Sequence, residues 1–373
     1  MKRRTILKRL SLLIGFVVVT FSARAQFNMN PTLKIGDPAP PLKVAGWVRG
    51  NGLSGFEKGK VYVVDFWATW CGGCIASFPH ISFIADKYKD KVKFISVDSY
   101  EDEIIKKGGD IAKTVAEFLK TPQGQRLSLD VCIDGNENTM YENWVKPLRR
   151  QGFPTTFIID GEGKIAWVDV NLDHLDWVLG QVVTKKWDKA KAADVMQQRD
   201  AIEDRFFKAF QEKDAEIKKK QYQEILTASE NLEKQYPDRK DAVSFYKLMA
   251  LNELDKERVP AQLEEMATNP LSRNINMSDG VGLTLRRTDL SKVDYAAIAK
   301  VQERLLLNEH NGTGFGGKTV SSYQGLAKTY SLLGDFKKAI DNQQKAIELA
   351  KQEKTPADQI KKLMADLESY KKS

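Results

Sequence analysis

Val63-Val64-Asp65-Phe66-Trp67-Ala68-Thr69-Trp70-Cys71-Gly72-Gly73-Cys74 is the stretch that decides the fold. Its first half continues an apolar run from Val61 and reads as a buried strand over 61–66, carrying one carboxylate, Asp65. Its second half places two thiols two residues apart, where that strand hands over to a helix. Cysteines so spaced make a reversible disulfide. A helix beginning near Cys71 points its unpaired N–H groups and the positive end of its dipole at that sulfur, which favours the attacking thiolate. Cys74, one turn farther in, reads as the resolving thiol. Zinc sites use the same spacing but need two more ligands. The chain has only three cysteines, the third being Cys132, and three histidines, His80, His174 and His310. No second pair has metal spacing, so the reading is redox and no metal is expected.

From Asp65 to Cys74 the chain resembles the thioredoxin active-site signature. Pro79, five residues past Cys74, falls where thioredoxins carry a kinking proline. Gly152-Phe153-Pro154-Thr155-Thr156-Phe157-Ile158-Ile159-Asp160 resembles the family's second signature, a proline that is cis and faces the disulfide. Ile35-Gly36-Asp37-Pro38-Ala39-Pro40 and Lys58-Gly59-Lys60 resemble the redoxin branch that includes the TlpA/ResA-like periplasmic oxidoreductases. The resemblance covers about residues 33–185. It implies an α/β thioredoxin-like fold, a central mixed sheet flanked by helices. It implies catalytic roles for Cys71, Cys74 and Asp65, with Asp65 the buried base that deprotonates Cys74. Partner binding falls to Trp70, Gly72, Gly73, Phe153, Pro154 and Thr155. The expected partners are client proteins bearing disulfides or dithiols, with a membrane electron donor or acceptor to recycle the pair. No cofactor is expected beyond the Cys71–Cys74 disulfide itself.

The departures from the pattern bear on direction. Gly72-Gly73 replaces thioredoxin's Gly-Pro, adding flexibility and no charge. Ile75 stands where thioredoxin has a basic residue. Proteins of this fold include reductants near −270 mV and oxidants near −120 mV, to within about 10 mV; a reductant is the reading taken here. Two alternatives stand beside it. One is a thiol peroxidase, against which Ala68 occupies the position of the peroxiredoxin threonine. The other is an interaction protein whose helical part is its purpose and whose redox site is regulatory. Trp67 fits either core packing or the site, whereas Trp70, next to Cys71, reads as docking surface. Cys132, alternating within Asp130-Val131-Cys132-Ile133-Asp134, reads as a small core residue.

The N-terminus reads as an export signal. Lys2, Arg3, Arg4, Lys8 and Arg9 precede an apolar run over 10–21, and Ala23-Arg24-Ala25 is a cleavage site. The run is short for a membrane span, although an uncleaved anchor is the alternative. Residues 1–25 hold six basic and no acidic residues, so the formal charge of +8 falls to +2 beyond them. That near-neutral remainder gives no case for nucleic-acid binding. The expected location is the periplasm, with residues 26–186 forming the thioredoxin-like domain and 187–373 a second domain.

Within the first domain the pattern predicts an edge-lying entry over 26–60 and strands at 92–98, 127–134, 156–160 and 164–170. Helices are expected at 71–88, 109–120, 138–148 and 172–183. From about Lys185 strand patterns vanish and apolar residues recur at helical spacing. Tyr323, Leu326, Ala327, Tyr330, Gly334, Ala339 and Ala346 sit where a tetratricopeptide unit places its packing residues, so an all-α, tetratricopeptide-like domain is expected. Long loops are expected at 268–282 and 308–318. Gly312-Thr313-Gly314-Phe315-Gly316-Gly317-Lys318-Thr319 fits the P-loop expression, but a P-loop needs a preceding strand, and the context is helical. No nucleotide partner is expected.

Overall fold

The computed structural model describes residues 26–27, 31–307 and 318–373. The leader, its cleavage site, His310 and the glycine-rich 312–317 lie outside the described residues. Six strands form the main sheet: β2 (Gly46–Arg49), β3 (Val61–Trp67), β4 (Val92–Asp98), β5 (Asp130–Ile133), β7 (Thr155–Ile159) and β8 (Ile165–Asp169). Their order is β2-β5-β4-β3-β7-β8. β3 and β4 are parallel, as are β4 and β5, while β2, β7 and β8 run antiparallel to their neighbours. Two short strands, β1 (Gln26–Phe27) and β6 (Arg150–Gln151), pair separately.

β3 is an almost unbroken apolar run because the sheet is covered on both faces. Val63 and Trp67 face helices α1 (Gly72–Tyr88), α3 (Ile111–Phe118) and α4 (Leu175–Val183). Tyr62, Val64 and Phe66 face Met140, Trp144, Val145 and Leu148 on the other side. Asp65 shares the parity of Val63 and Trp67, so it points toward the α1 face.

Two expectations are adjusted in this half. The helix expected over 138–148 is present but shorter, running over 139–145, where the Glu142 N–H bonds Asn138 O at 2.9 Å before the helix widens. Its later part is one wide turn over Tyr141–Val145, closed by a bond from the Lys146 N–H to Tyr141 O at 2.9 Å. The carboxylate of Asp134 takes the N–H groups of Met140 at 2.5 Å and Tyr141 at 2.8 Å, and Pro147 stops propagation. A short helix, α2 (Asp102–Lys106), forms where none was expected.

Beyond Lys189 every regular element is helical: α5 (Lys189–Gln211), α6 (Ala215–Gln235), α7 (Ser244–Leu254), α8 (Val259–Thr268), α9 (Asn274–Thr284), α10 (Lys292–Leu307), α11 (Val320–Leu333), α12 (Phe336–Gln352) and α13 (Ala357–Lys371). α11 and α12 are the expected helical hairpin. Gly334 ends α11 at φ 83°, a left-handed cap that glycine adopts without strain, and Leu326, Ala327, Tyr330, Ala339 and Ala346 are buried. α9 occupies most of the segment expected to be a loop. Met277 and Val281 enter the helical core, and Gly280 lets α9 approach Leu248 of α7 more closely than a Cβ would allow. Local propensity is poor there, so packing decides. The P-loop-like stretch follows α10, a helix and not a strand, and Thr319 caps α11 by accepting the Ser322 N–H at 3.1 Å.

Candidate functional site

Cys71 and Cys74 are joined by a disulfide at the N-terminus of α1. Cys71 is the N-cap, and its Sγ accepts the Cys74 N–H at 3.2 Å. The sulfur that would become the thiolate already sits where orphan helix donors converge. Cys71 is 7% exposed and Cys74 only 1%, so the outer sulfur is the one an incoming thiol or disulfide meets first. Gly72 and Gly73, on the first turn, are exposed, and a Cβ on either would meet nothing. Pro79 lies inside α1, where its missing N–H frees the carbonyl one turn back. The Ser77 hydroxyl donates to Cys74 O at 2.7 Å.

Asp65 is buried in β3, paired with Thr156 of β7 in register. The Thr156 hydroxyl donates to its Oδ1 at 2.5 Å. Burial pushes the Asp65 carboxyl up to about 7, against the pull of that hydrogen bond. A carboxyl poised there can take or give a proton near neutrality. Pro154 follows a cis peptide bond from Phe153, as the second signature implied, and leads directly into β7. Thr155 is buried, its hydroxyl donating to Gly152 O at 2.6 Å.

The two tryptophans separate cleanly. Trp67 is fully buried, edge-on to Phe78 at 5.1 Å, and is a core residue. Trp70 is 55% exposed; its indole donates to Tyr100 O at 3.1 Å and its ring lies 6.0 Å from Phe153. Phe153 meets Tyr141 at 5.9 Å, and Tyr141 meets Tyr100 at 4.7 Å. An aromatic rim therefore borders the disulfide. Trp70 and Phe153 were legible from the motifs; Tyr100 and Tyr141 were not, because they come from loops whose path only the fold sets.

Cys132 is wholly buried, its Sγ 3.6 Å from Ser96 O. Burial, then the nearby Asp134 charge, push its thiol far up, so it behaves as the core residue its pattern suggested. Asp98, Glu101 and Asp134 are three buried acids beside the loop that carries the disulfide, and sequence reasoning assigned them no role. The signal for Asp98 was present, a carboxylate closing a buried strand; for Glu101 there was none. Among the described residues no group of His, Cys, Asp and Glu side chains could hold a metal ion.

Residues 34–176 match the Redoxin family. FixW of Rhizobium leguminosarum is 32% identical over 160 residues, 43% of this chain and 70% of that protein. The thiol-disulfide oxidoreductase ResA of Bacillus cereus is 30% identical over 167 residues, 44% of this chain and 86% of that protein. The thioredoxin domain of a thiol-disulfide oxidoreductase from Bacteroides vulgatus covers 41% of this chain and 99% of its own, with 21% identity and a TM-score of 0.30. With the matched segment holding the disulfide, Asp65 and Pro154, the chain belongs to the TlpA/ResA-like redoxin family of thiol–disulfide oxidoreductases.

Proposed function

We propose that the protein is an exported, periplasmic reductant of protein disulfides, with Cys71 as attacking thiol, Cys74 as resolving thiol and Asp65 as the base for Cys74. The observation that carries this reading is the asymmetry of the pair. Cys71 is the more exposed sulfur and caps α1, whereas Cys74 is sealed beneath it on the face toward which Asp65 points.

In the reduced protein the Cys71 thiolate attacks one sulfur of a client disulfide. That bond breaks, a Cys71–client disulfide forms, and the client's other sulfur leaves as a thiolate that takes up a proton. Asp65 then accepts the Cys74 proton. The Cys74 thiolate attacks Cys71 Sγ, expels the client's remaining sulfur and closes the Cys71–Cys74 disulfide. Two electrons pass to the client. A membrane electron donor is the class of partner that would return them. Trp70, Phe153, Pro154 and Thr155 would hold the client chain across the disulfide, and Gly72 and Gly73 leave it room. The Gly-Gly pair adds no charge to stabilise the thiolate and the Glu101 carboxylate bonded to the loop disfavours it, which supports the reducing direction.

The experiment is a trap in the exporting cell. Cys74→Ser in the full chain should accumulate covalent client–Cys71 disulfides that reductant releases, and Cys71→Ser should accumulate none. A trap that stays empty refutes the enzymatic assignment of these residues. Equilibration of the pair with glutathione buffers then gives direction: a potential near thioredoxin's, about −270 mV, fits a reductant, and one near −120 mV, within about 10 mV, refutes that part.

A further inference from the structure

Glu101 takes no step in the thiol chemistry above, yet its buried carboxylate is bonded to the redox loop. Its Oε1 accepts the Thr69 N–H at 2.6 Å, two residues before Cys71. That bond is the middle one of three that strap the loop after β3 to the loop after β4. Trp67 O accepts the Ser99 N–H at 2.9 Å, and the Trp70 indole reaches Tyr100 O. Asp98, buried alongside, finds no N–H or O–H donor for either oxygen. The Glu101 carboxyl is the acidic group whose charge acts on it most strongly. Burial first, then the charge and hydrogen bond of Glu101 and the charge of Asp134, push Asp98 well above the carboxylate range.

We propose that Glu101 is a positioning residue for disulfide exchange: it fixes Thr69, two residues before Cys71, and places a carboxylate beside the redox loop, biasing the reduced pair toward giving up its electrons. The inference rests on Cys71 being the attacking thiol. The other titratable groups on the elements around the loop include Asp65 of β3, His80 of α1, Tyr100 and Asp102 on either side of Glu101, Asp134 after β5, and Tyr141 and Glu142 in the turn that follows.

The test is the pH dependence of Cys71 alkylation in the reduced full chain. Glu101→Gln keeps the size and an accepting oxygen but removes the charge. A unit charge on the order of 10 Å away, at an effective dielectric of about 20, moves a titration by roughly one pH unit. The variant should lower the Cys71 midpoint by about that much and shift the glutathione equilibrium about tenfold toward the reduced pair. Asp98→Asn, neutral like the protonated acid, should leave both where they are. A midpoint unmoved by Glu101→Gln, or moved as far by Asp98→Asn, overturns the proposal. Hydrogen exchange on the unaltered chain gives a check independent of whether the variants fold: the Thr69 amide should be protected, and rapid exchange there also overturns it. An empty Cys74→Ser trap would refute the exchange reaction while leaving the Thr69 amide and these midpoints unaffected, so the two failures are told apart.

Discussion

Replacing Asp65 by asparagine should stabilise the protein at alkaline pH and slow it as a catalyst. The folded carboxyl titrates at about 7 against an ordinary 3.8. Between those values the native state holds one proton more than the unfolded chain, so stability falls as pH rises through that window. The gap of roughly three units amounts to about 4 kcal/mol at pH 8, at about 1.4 kcal/mol per unit. Asparagine cannot ionise, so it does not carry that penalty. It still offers an oxygen to the Thr156 hydroxyl, which now bonds Asp65. Its added N–H donors, buried without a designed acceptor, cost about 1 kcal/mol. Asp65→Asn should therefore be slightly less stable than the parent near pH 4 and about 3 kcal/mol more stable at pH 8, the two curves crossing between.

The assay is denaturant unfolding of the oxidised chain at several pH values, followed by tryptophan fluorescence. All seven tryptophans, the last being Trp187, lie in the redoxin half or at its junction with the helices, so the signal reports chiefly on the half that holds Asp65. In the same variant the resolving step, read as release of the client thiol from a preformed mixed disulfide, should slow by about a hundredfold and lose its dependence on pH near neutrality. Stability curves for parent and variant that run parallel from pH 4 to pH 8 would refute the reasoning, because they would mean that Asp65 does not titrate between folded and unfolded states in that range.

Three further outcomes are expected. Trp70→Ala, which removes the exposed part of the aromatic rim, should lower kcat/KM for a protein disulfide by about tenfold while exchange with glutathione stays unchanged; equal loss on both substrates would place Trp70 in the core of the site instead. Arg273→Ala leaves the buried Asp169 carboxylate without its ion-pair partner and should destabilise the chain by about 3–5 kcal/mol, read as a lowered denaturation midpoint. In the oxidised chain Cys132 should resist thiol reagents at pH 8 until denaturant is added, since burial raises its thiol far above that pH; labelling of the native protein would contradict that burial.

The first half of the fold was legible because its decisive signals are local. β3 reads from its apolar run, α1 from the cysteines that open it, and the β7–β8 hairpin from Gly161-Glu162-Gly163. Two of the differences involve carboxylates that take backbone N–H groups outside their own helix. The Asp134 carboxylate takes the first-turn N–H groups of Met140 and Tyr141, and so sets where the short helix over 139–145 begins. The Asp173 carboxylate takes the Asn274 N–H at 2.7 Å and so starts α9, across 101 residues of chain. Within the site, Cys71, Cys74, Asp65 and Pro154 announce themselves by spacing. Glu101 does not, because an acid three residues past a strand has no meaning until β4 lies beside β3.

The connection between the two halves argues against a flexible tether. Asp169 pairs with Arg273, Arg150 with Glu203 at 2.5 Å, and His174 Nε2 lies 2.6 Å from Leu271 O, with Asp169, Glu203 and His174 buried. Arg239 of the helical part lies over the rings of both Trp177 and Trp187, at 5.5 and 5.9 Å. α5 belongs to both cores at once. Ala192, Ala193 and Met196 pack on the second face of the sheet, whereas Val195, Ile202, Phe206 and Ala209 enter the helical cluster. Such buried pairs hold only when complete, since removing one partner strands a charge without water. Sliding one half over the other would break several of them together. The aromatic rim beside Cys71 and the helical surface are thus carried on one frame, and a client bound by the helices would meet the disulfide from a fixed direction.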